Sequence, residues 1–227
     1  MKIFIYYLEI VRGILGKSEQ PIDGIKYCAG WNDFEGMGIS VLGLCEITLQ
    51  MPHLPIFSVW LAEDLDRLVS KVAAEADLLI GFNNIRFDDR VIDAATSGAW
   101  ALRTSHIPRY DILREIWAAE GHALDRFDLK VHGNYGLNAM CVANGLPTKT
   151  GNGAFAPVDW QQGRESKVIN YCLHDVALTY GLLDLIETNR NLKAPDAKGG
   201  HRIPMRLMDR HTDTPITSEV MPWHLAE

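Results

Sequence analysis

The apolar run Leu78-Leu79-Ile80 passes without a spacer into Gly81-Phe82-Asn83-Asn84-Ile85-Arg86-Phe87-Asp88-Asp89. A run that is apolar at every residue suits a strand covered on both faces, as in the interior of an α/β sheet. Its polar continuation then delivers amides and carboxylates to the rim of that sheet, where open α/β proteins carry their chemistry. Two readings stand at this point: a functional rim, or a polar turn with a helix cap at Asp88 or Asp89.

The rest of the chain supplies the sheet. Ile3 to Leu8 is β-branched and aromatic enough for a first strand, and its apolar character on both faces places it centrally. Ile39 to Cys45 and Ile56 to Leu61 read as the next two strands, with Pro52 and Pro55 punctuating the turn, so an antiparallel meander is expected. From Glu63 the spacing of Leu65, Leu68, Val69 and Val72 becomes helical. Helices are also expected over Asp88–Ala95, Asp111–Ala119, Leu137–Ala143 and Glu165–Glu187, with a short strand over Ile107–Tyr110. Thr148 to Ala154 has the composition of a flexible loop. The pattern describes an α/β domain with a mixed sheet over residues 1–190. Residues 191–227, rich in Pro, Gly and charge, read as a C-terminal tail of low regularity in which Trp223 and Leu225 are the docking candidates.

At 227 residues and 47% hydrophobic, the chain can bury a full core. Its net charge of −7 argues against a broad basic face that coats nucleic acid, yet leaves room for a small acidic site that holds cations. Cys28, Cys45, Cys141 and Cys172 are widely spaced, which points to reduced thiols rather than a zinc ribbon or a redox dithiol. The apolar start meets Glu9 too early for a signal-peptide core, and no run approaches the ~20 apolar residues of a membrane span. A soluble cytoplasmic protein is expected.

Near the end of the domain, Tyr171 and Asp175 stand four residues apart on one helix face. A carboxylate in an apolar helix stripe needs a partner, because burying it unpaired is costly. Either Asp175 pairs with an Arg and Tyr171 is half-buried packing, or the two serve a site. Taken together, Asn83-x-x-x-Phe87-Asp88 and Tyr171-x-x-x-Asp175 resemble the second and third motifs of the DEDD-type 3′–5′ exonucleases, in the branch whose third motif carries tyrosine. Tyr27-Cys28-Ala29-Gly30-Trp31 and Met37-Gly38-Ile39-Ser40-Val41 are similar to the ribonuclease H-like exonucleases of phages and bacteria.

This resemblance implies a ribonuclease H-like fold: a five-stranded mixed sheet, its first three strands antiparallel, flanked by helices. It also implies removal of mononucleotides from a 3′ end with two divalent cations, Mg²⁺ or Mn²⁺. Two cations about 4 Å apart stabilise both the attacking and the leaving oxygen, and magnesium prefers oxygen ligands. Carried over, Glu9, Asp88 and Asp175 would be metal ligands, Tyr171 would orient the attacking water, and Asn83 and Phe87 would meet the substrate. The expected partner is single-stranded or 3′-ended DNA, with RNA open, in a bacterial or phage-infected cell.

One departure stands out. The family's first motif is Asp-x-Glu, and the matching residues here are Tyr7-Leu8-Glu9. Strand alternation sends residues 7 and 9 to one face, so a neutral phenol occupies the place of the carboxylate that bridges both metals. This motivates a second reading, a pseudo-nuclease that keeps the cleft as a binding module for nucleic acid or protein. Asp33-Phe34-Glu35 also reads Asp-x-Glu but lies in a glycine-flanked loop, and Asp89 is a spare carboxylate at a helix start. Arg86, Arg90, Lys130, Lys149 and Arg164 are candidates to border the cleft, and Phe82 or Trp160 to stack a base.

Overall fold

The computed structural model describes residues 1–16, 18–48, 54–196 and 201–216. Its central sheet has five strands, numbered here along the chain: β1 (Lys2–Ile10), β2 (Ile39–Thr48), β3 (Ile56–Trp60), β4 (Leu78–Gly81) and β5 (Arg109–Asp111). They lie in the order β3-β2-β1-β4-β5. β2 pairs antiparallel with β1 and β3, whereas β4 pairs parallel with β1 and β5. The meander and the central first strand expected from the sequence are both present.

β1 is central because both of its faces are apolar. Phe4, Tyr6, Leu8 and Ile10 pack with Leu65, Leu68, Val69 and Val72 of the helix Leu65–Glu75. Ile3 and Ile5 face the other way, toward Val176, Leu182 and Leu183 of the long helix Glu165–Asn189. Full burial of each such side chain is worth about 1.5–3 kcal/mol, so one strand anchors two layers. Gly43, opposite Tyr7 in the ladder, lets the long helix lie close: a Cβ there would stand 2.9 Å from Val176 Cγ2.

At the end of β1 the register slips. Glu9 pairs with Val41 but Ile10 with Ile39, leaving Ser40 as the extra residue, and the Ser40 hydroxyl donates to the Glu9 carbonyl at 2.9 Å. Bulges of this kind re-aim side chains near sites. Beyond β4 the chain turns through Asn83, whose φ of 70° lies in the left-handed region that Asn tolerates better than most residues. Asp111 holds this turn from β5. Its carboxylate accepts from the backbone N–H groups of Asn83 (2.9 Å) and Ile85 (3.2 Å) while capping its own helix through Leu113 (3.1 Å) and Arg114 (3.2 Å). Burial pushes the Asp111 carboxyl up to about 6, against the pull of these donors.

The helices Asp88–Ala95 and Leu137–Ala143 have the expected bounds. Phe87, rather than Asp88 or Asp89, occupies the cap position of the first. Short helices at Ala99–Thr104 and Ala156–Gln161 were not legible in the sequence, being too short to establish a period.

The expected tail of low regularity is corrected by the structure over residues 191–196 and 201–216. Asn191–Lys193 and Arg202–Pro204 form an antiparallel hairpin, and Met208–Asp209 pairs with Thr214–Pro215. Leu192, Ala194, Ile203, Met205 and Ile216 are buried in the main core. The segment is also tied down by polar contacts: Asp209 Oδ1 accepts from the Arg109 N–H at 3.1 Å, and buried Glu115 accepts from Arg206 N (3.0 Å) and Arg210 Nε (2.7 Å). Single apolar residues among polar ones carry no period, which is why composition suggested low regularity. Trp223, Leu225 and Pro52 lie outside the described residues.

Breaking the Glu115–Arg210 pair leaves a guanidinium poorly compensated. Glu115→Ala is expected to lower unfolding stability by about 3 kcal/mol, the lower end for a buried pair because Asp213 still faces Arg210. Urea denaturation checks this, and a loss below about 0.5 kcal/mol would contradict the docking role of the segment.

Candidate active site

Glu9 and Tyr7 project from the same face of β1, the face that the long helix covers. Asp175 comes from that helix and is fully buried; Asp88 opens the helix after β4 and is 3% exposed, and Glu9 is 5% exposed. The Asp88 carboxylate is anchored to β1, accepting from the Leu8 N–H at 3.0 Å. The Glu9 carboxyl is held well above the usual range by burial first and then by the negative charges of Asp175 and Asp88, so these three acids share one field. Burial likewise raises Asp88 and Asp175, with the Leu8 N–H and Lys149 pulling in the opposite direction.

Lys149 enters this acidic pocket from the glycine-rich loop. Its ammonium stands 2.5 Å from Asp175 Oδ2, 5.4 Å from the centroid of the Tyr7 ring and 5.0 Å from that of Tyr171. Cations favour the negative face of an aromatic ring, so the two tyrosines make a cage that Lys149 completes. The loop around it is fixed: Lys149 N donates to Asn138 Oδ1 at 2.8 Å, and His174 Nε2 donates to the Thr148 carbonyl at 2.9 Å. Among the described residues neither Glu9 nor Asp88 has an ion pair, and Glu9 Oε1 is buried with no hydrogen-bond partner. One ammonium therefore faces three acids.

Tyr171, four residues before Asp175, is nearly buried beneath the same loop. A Cβ at Gly151 would stand 3.2 Å from Tyr171 Cδ2, so the loop packs closely on the ring. Burial, then the charges of Asp175 and Glu9, push the phenol far above its ordinary range. It stays protonated, fit to donate a hydrogen bond rather than to act as a base. Beside it opens a cavity of about 920 Å³ lined by Asn152, Phe155, Lys167, Asn170, Tyr171 and His174.

The structure thus gathers Glu9, Asp175, Tyr171 and Asp88 at one end of the sheet. Asn83 lies on the adjoining turn, where its carbonyl accepts from the Phe87 N–H at 3.0 Å and its Oδ1 is buried without a partner. Asn84 was not singled out from the sequence, yet it is fully buried and donates to the Tyr6 hydroxyl at 2.9 Å. The other candidates take structural parts. Asp89 points away, accepting from the Tyr6 hydroxyl (2.5 Å), Trp100 Nε1 (2.7 Å) and Arg109 Nε (2.8 Å). Asp33 caps a short helix, bonded to Gly36 N (3.0 Å) and Ala29 N (2.7 Å), and Arg164 pairs with Asp159. Phe82 is core, and Trp160 packs beside Val41 and Tyr171.

A hard divalent cation suits this set by chemistry, since the donors are carboxylate oxygens with surplus negative charge and an orphaned Glu9 oxygen. Among the described residues, however, no three His, Cys, Asp and Glu side chains form a group that encloses a metal ion as they stand. Among the same residues no helix is long and apolar enough to cross a membrane.

No protein-family model and no curated protein matches this sequence. Solved structures do. A family B DNA polymerase from the archaeon Pyrobaculum calidifontis matches with a TM-score of 0.53 at 16% identity, over 82% of this chain and 24% of that one. Exonuclease I from Methylocaldum szegediense matches with 0.50 at 16% identity, and the E. coli ExoI–ssDNA complex in its zinc-bound form with 0.51 at 13%. Each of those two matches covers 83% of this chain and 41% of the other. The chain thus spans less than half the length of these proteins, and at these identities the likeness establishes the fold alone, an α/β architecture with a five-stranded mixed sheet.

Proposed function

We propose that the chain is a metal-dependent 3′–5′ exonuclease that hydrolyses phosphodiester bonds of DNA, acting on single-stranded or 3′-ended substrate. The observation that carries this reading is the burial of Glu9, Asp88 and Asp175 in one field with a single ammonium against them. Burying three acids is costly unless a cation is meant to join them. The fold shared with exonucleases, one of them complexed with single-stranded DNA, is in keeping with this choice of substrate.

Mg²⁺ or Mn²⁺ held by Glu9, Asp88 and Asp175 would supply Lewis-acid stabilisation of charge on the reacting oxygens. With Tyr7 in place of a carboxylate, the set has ligands for one ion more readily than for two. Tyr171 donates its hydroxyl hydrogen bond to the attacking water and orients it. Lys149 pairs with Asp175 and lies close enough to the two tyrosines to meet a phosphate entering beside them. Asn83 offers its unpartnered Oδ1 to water or substrate.

The Tyr7 phenol favours a second reading, in which the cleft binds nucleic acid or protein without cleaving. Tyr7 is held neutral by burial and by the surrounding acids, so it contributes no ligand charge.

Incubation of a 5′-labelled single strand with Mn²⁺ is expected to yield a ladder shortened from the 3′ end. Asp175→Asn should lower the rate at least about 100-fold, and Tyr171→Phe roughly 10- to 100-fold, as for groups that orient rather than ligate. No shortening at high protein, equal to the Asp175→Asn control, would overturn the enzyme reading; activity appearing in Tyr7→Asp alone would then establish the binding module. Independently, millimolar Mn²⁺ should raise the thermal midpoint of the wild type and not of Asp88→Asn, because a ligand that binds only the folded state stabilises it. An equal rise in both proteins would remove Asp88 from the metal set.

A further inference from the structure

Trp31 is 69% exposed, an unusual placement for so large an apolar ring. It does not sit on a loose loop. Asp33 donates its N–H to the Gly30 carbonyl at 3.0 Å and ties both ends of the turn through Ala29 N and Gly36 N. Gly30 takes φ 142°, a conformation that side-chain-bearing residues rarely adopt, and Arg12 Nη1 donates to the Gly36 carbonyl at 3.2 Å. A large aromatic ring is thus held out toward solvent by a rigid turn.

Its aromatic neighbour is Phe87, with ring centroids 6.3 Å apart and planes inclined by 62°. Phe87 immediately precedes Asp88 in the chain, so the pair adjoins the segment that carries one of the three acids. Two cations flank Phe87 in the chain. Arg90 lies over the ring of Phe34, its guanidinium carbon 4.6 Å from the centroid, and Arg86 lies 5.6 Å from that of Phe127. Among the described residues neither arginine makes an ion pair, although acids elsewhere in this chain of net charge −7 are widely paired. Exposed aromatic surface near guanidinium groups that make no ion pair matches the chemistry of a single nucleic-acid strand, whose bases stack and whose phosphates need cations.

We infer that Trp31 and Phe87 form a stacking platform for unpaired bases of the substrate's 3′-terminal segment, with Arg86 and Arg90 engaging its phosphates. The inference rests on the exonuclease reading and sharpens it: the platform selects single strands, because a base inside a duplex has no free face to offer. Trp31 is a binding residue that acts on substrate affinity, while the acids beyond Phe87 act on the bond.

Fluorescence anisotropy of a labelled oligothymidine of about ten nucleotides, without added Mg²⁺ or Mn²⁺, tests this directly. Trp31→Ala should weaken binding roughly 5- to 150-fold, the loss of one base-stacking contact, and Trp31→Phe should recover most of it. The exposed position predicts an unchanged melting temperature in both variants. Binding by Trp31→Ala within about twofold of wild type, or an equal loss on a blunt duplex, would overturn the platform. If Trp31→Ala binds normally while the wild type still shortens a strand in Mn²⁺, only the platform fails; if the wild type neither binds nor shortens it, the exonuclease reading falls and the platform with it.

Discussion

Three carboxyl groups are kept from water between β1, the turn after β4 and the long helix, with one ammonium among them. That imbalance is the constraint on which the rest of the site depends. Desolvation and mutual repulsion both oppose ionisation of Glu9, and the apolar layers on either side of β1 are what hold the acids together against it. A fold stabilised by burial of Ile3, Phe4, Ile5 and Leu8 can sustain a strained charge arrangement at its rim. Function-bearing sites commonly concentrate such unfavourable arrangements.

The sheet does more than supply rigidity. Gly43 brings the long helix against β1, and this approach sets Asp175 and Tyr171 over Tyr7 and Glu9. The Ser40 bulge falls at Glu9, where regular pairing gives way. Asp111 fixes the turn that carries Asn83, and the Asp88 carboxylate reaches back to the Leu8 N–H. Of the three acids, Asp88 is thereby located by a backbone contact, while Asp175 is held by the Lys149 ammonium.

Much of this was legible in the sequence because it is periodic. The continuous apolar character of β1, the helical spacing at Leu65–Val72 and the Tyr171–Asp175 interval each follow from side-chain geometry. Other parts have no local signature. Lys149 was one of five basic candidates, and only the fold places its ammonium between Tyr7, Tyr171 and Asp175. Asp111 looked like the start of a helix, while its second duty of holding Asn83 and Ile85 is a long-range contact. Residues 191–216 looked irregular because isolated apolar residues such as Leu192 and Ile203 find their core partners far away in the chain.

The proposed activity turns on a divalent cation joining Glu9, Asp88 and Asp175. Anomalous scattering from crystals soaked in Mn²⁺ tests it most directly. The account predicts a peak between Glu9, Asp88 and Asp175, with the Lys149 ammonium displaced from Asp175. Absence of any peak there, with Lys149 still paired to Asp175, would contradict it.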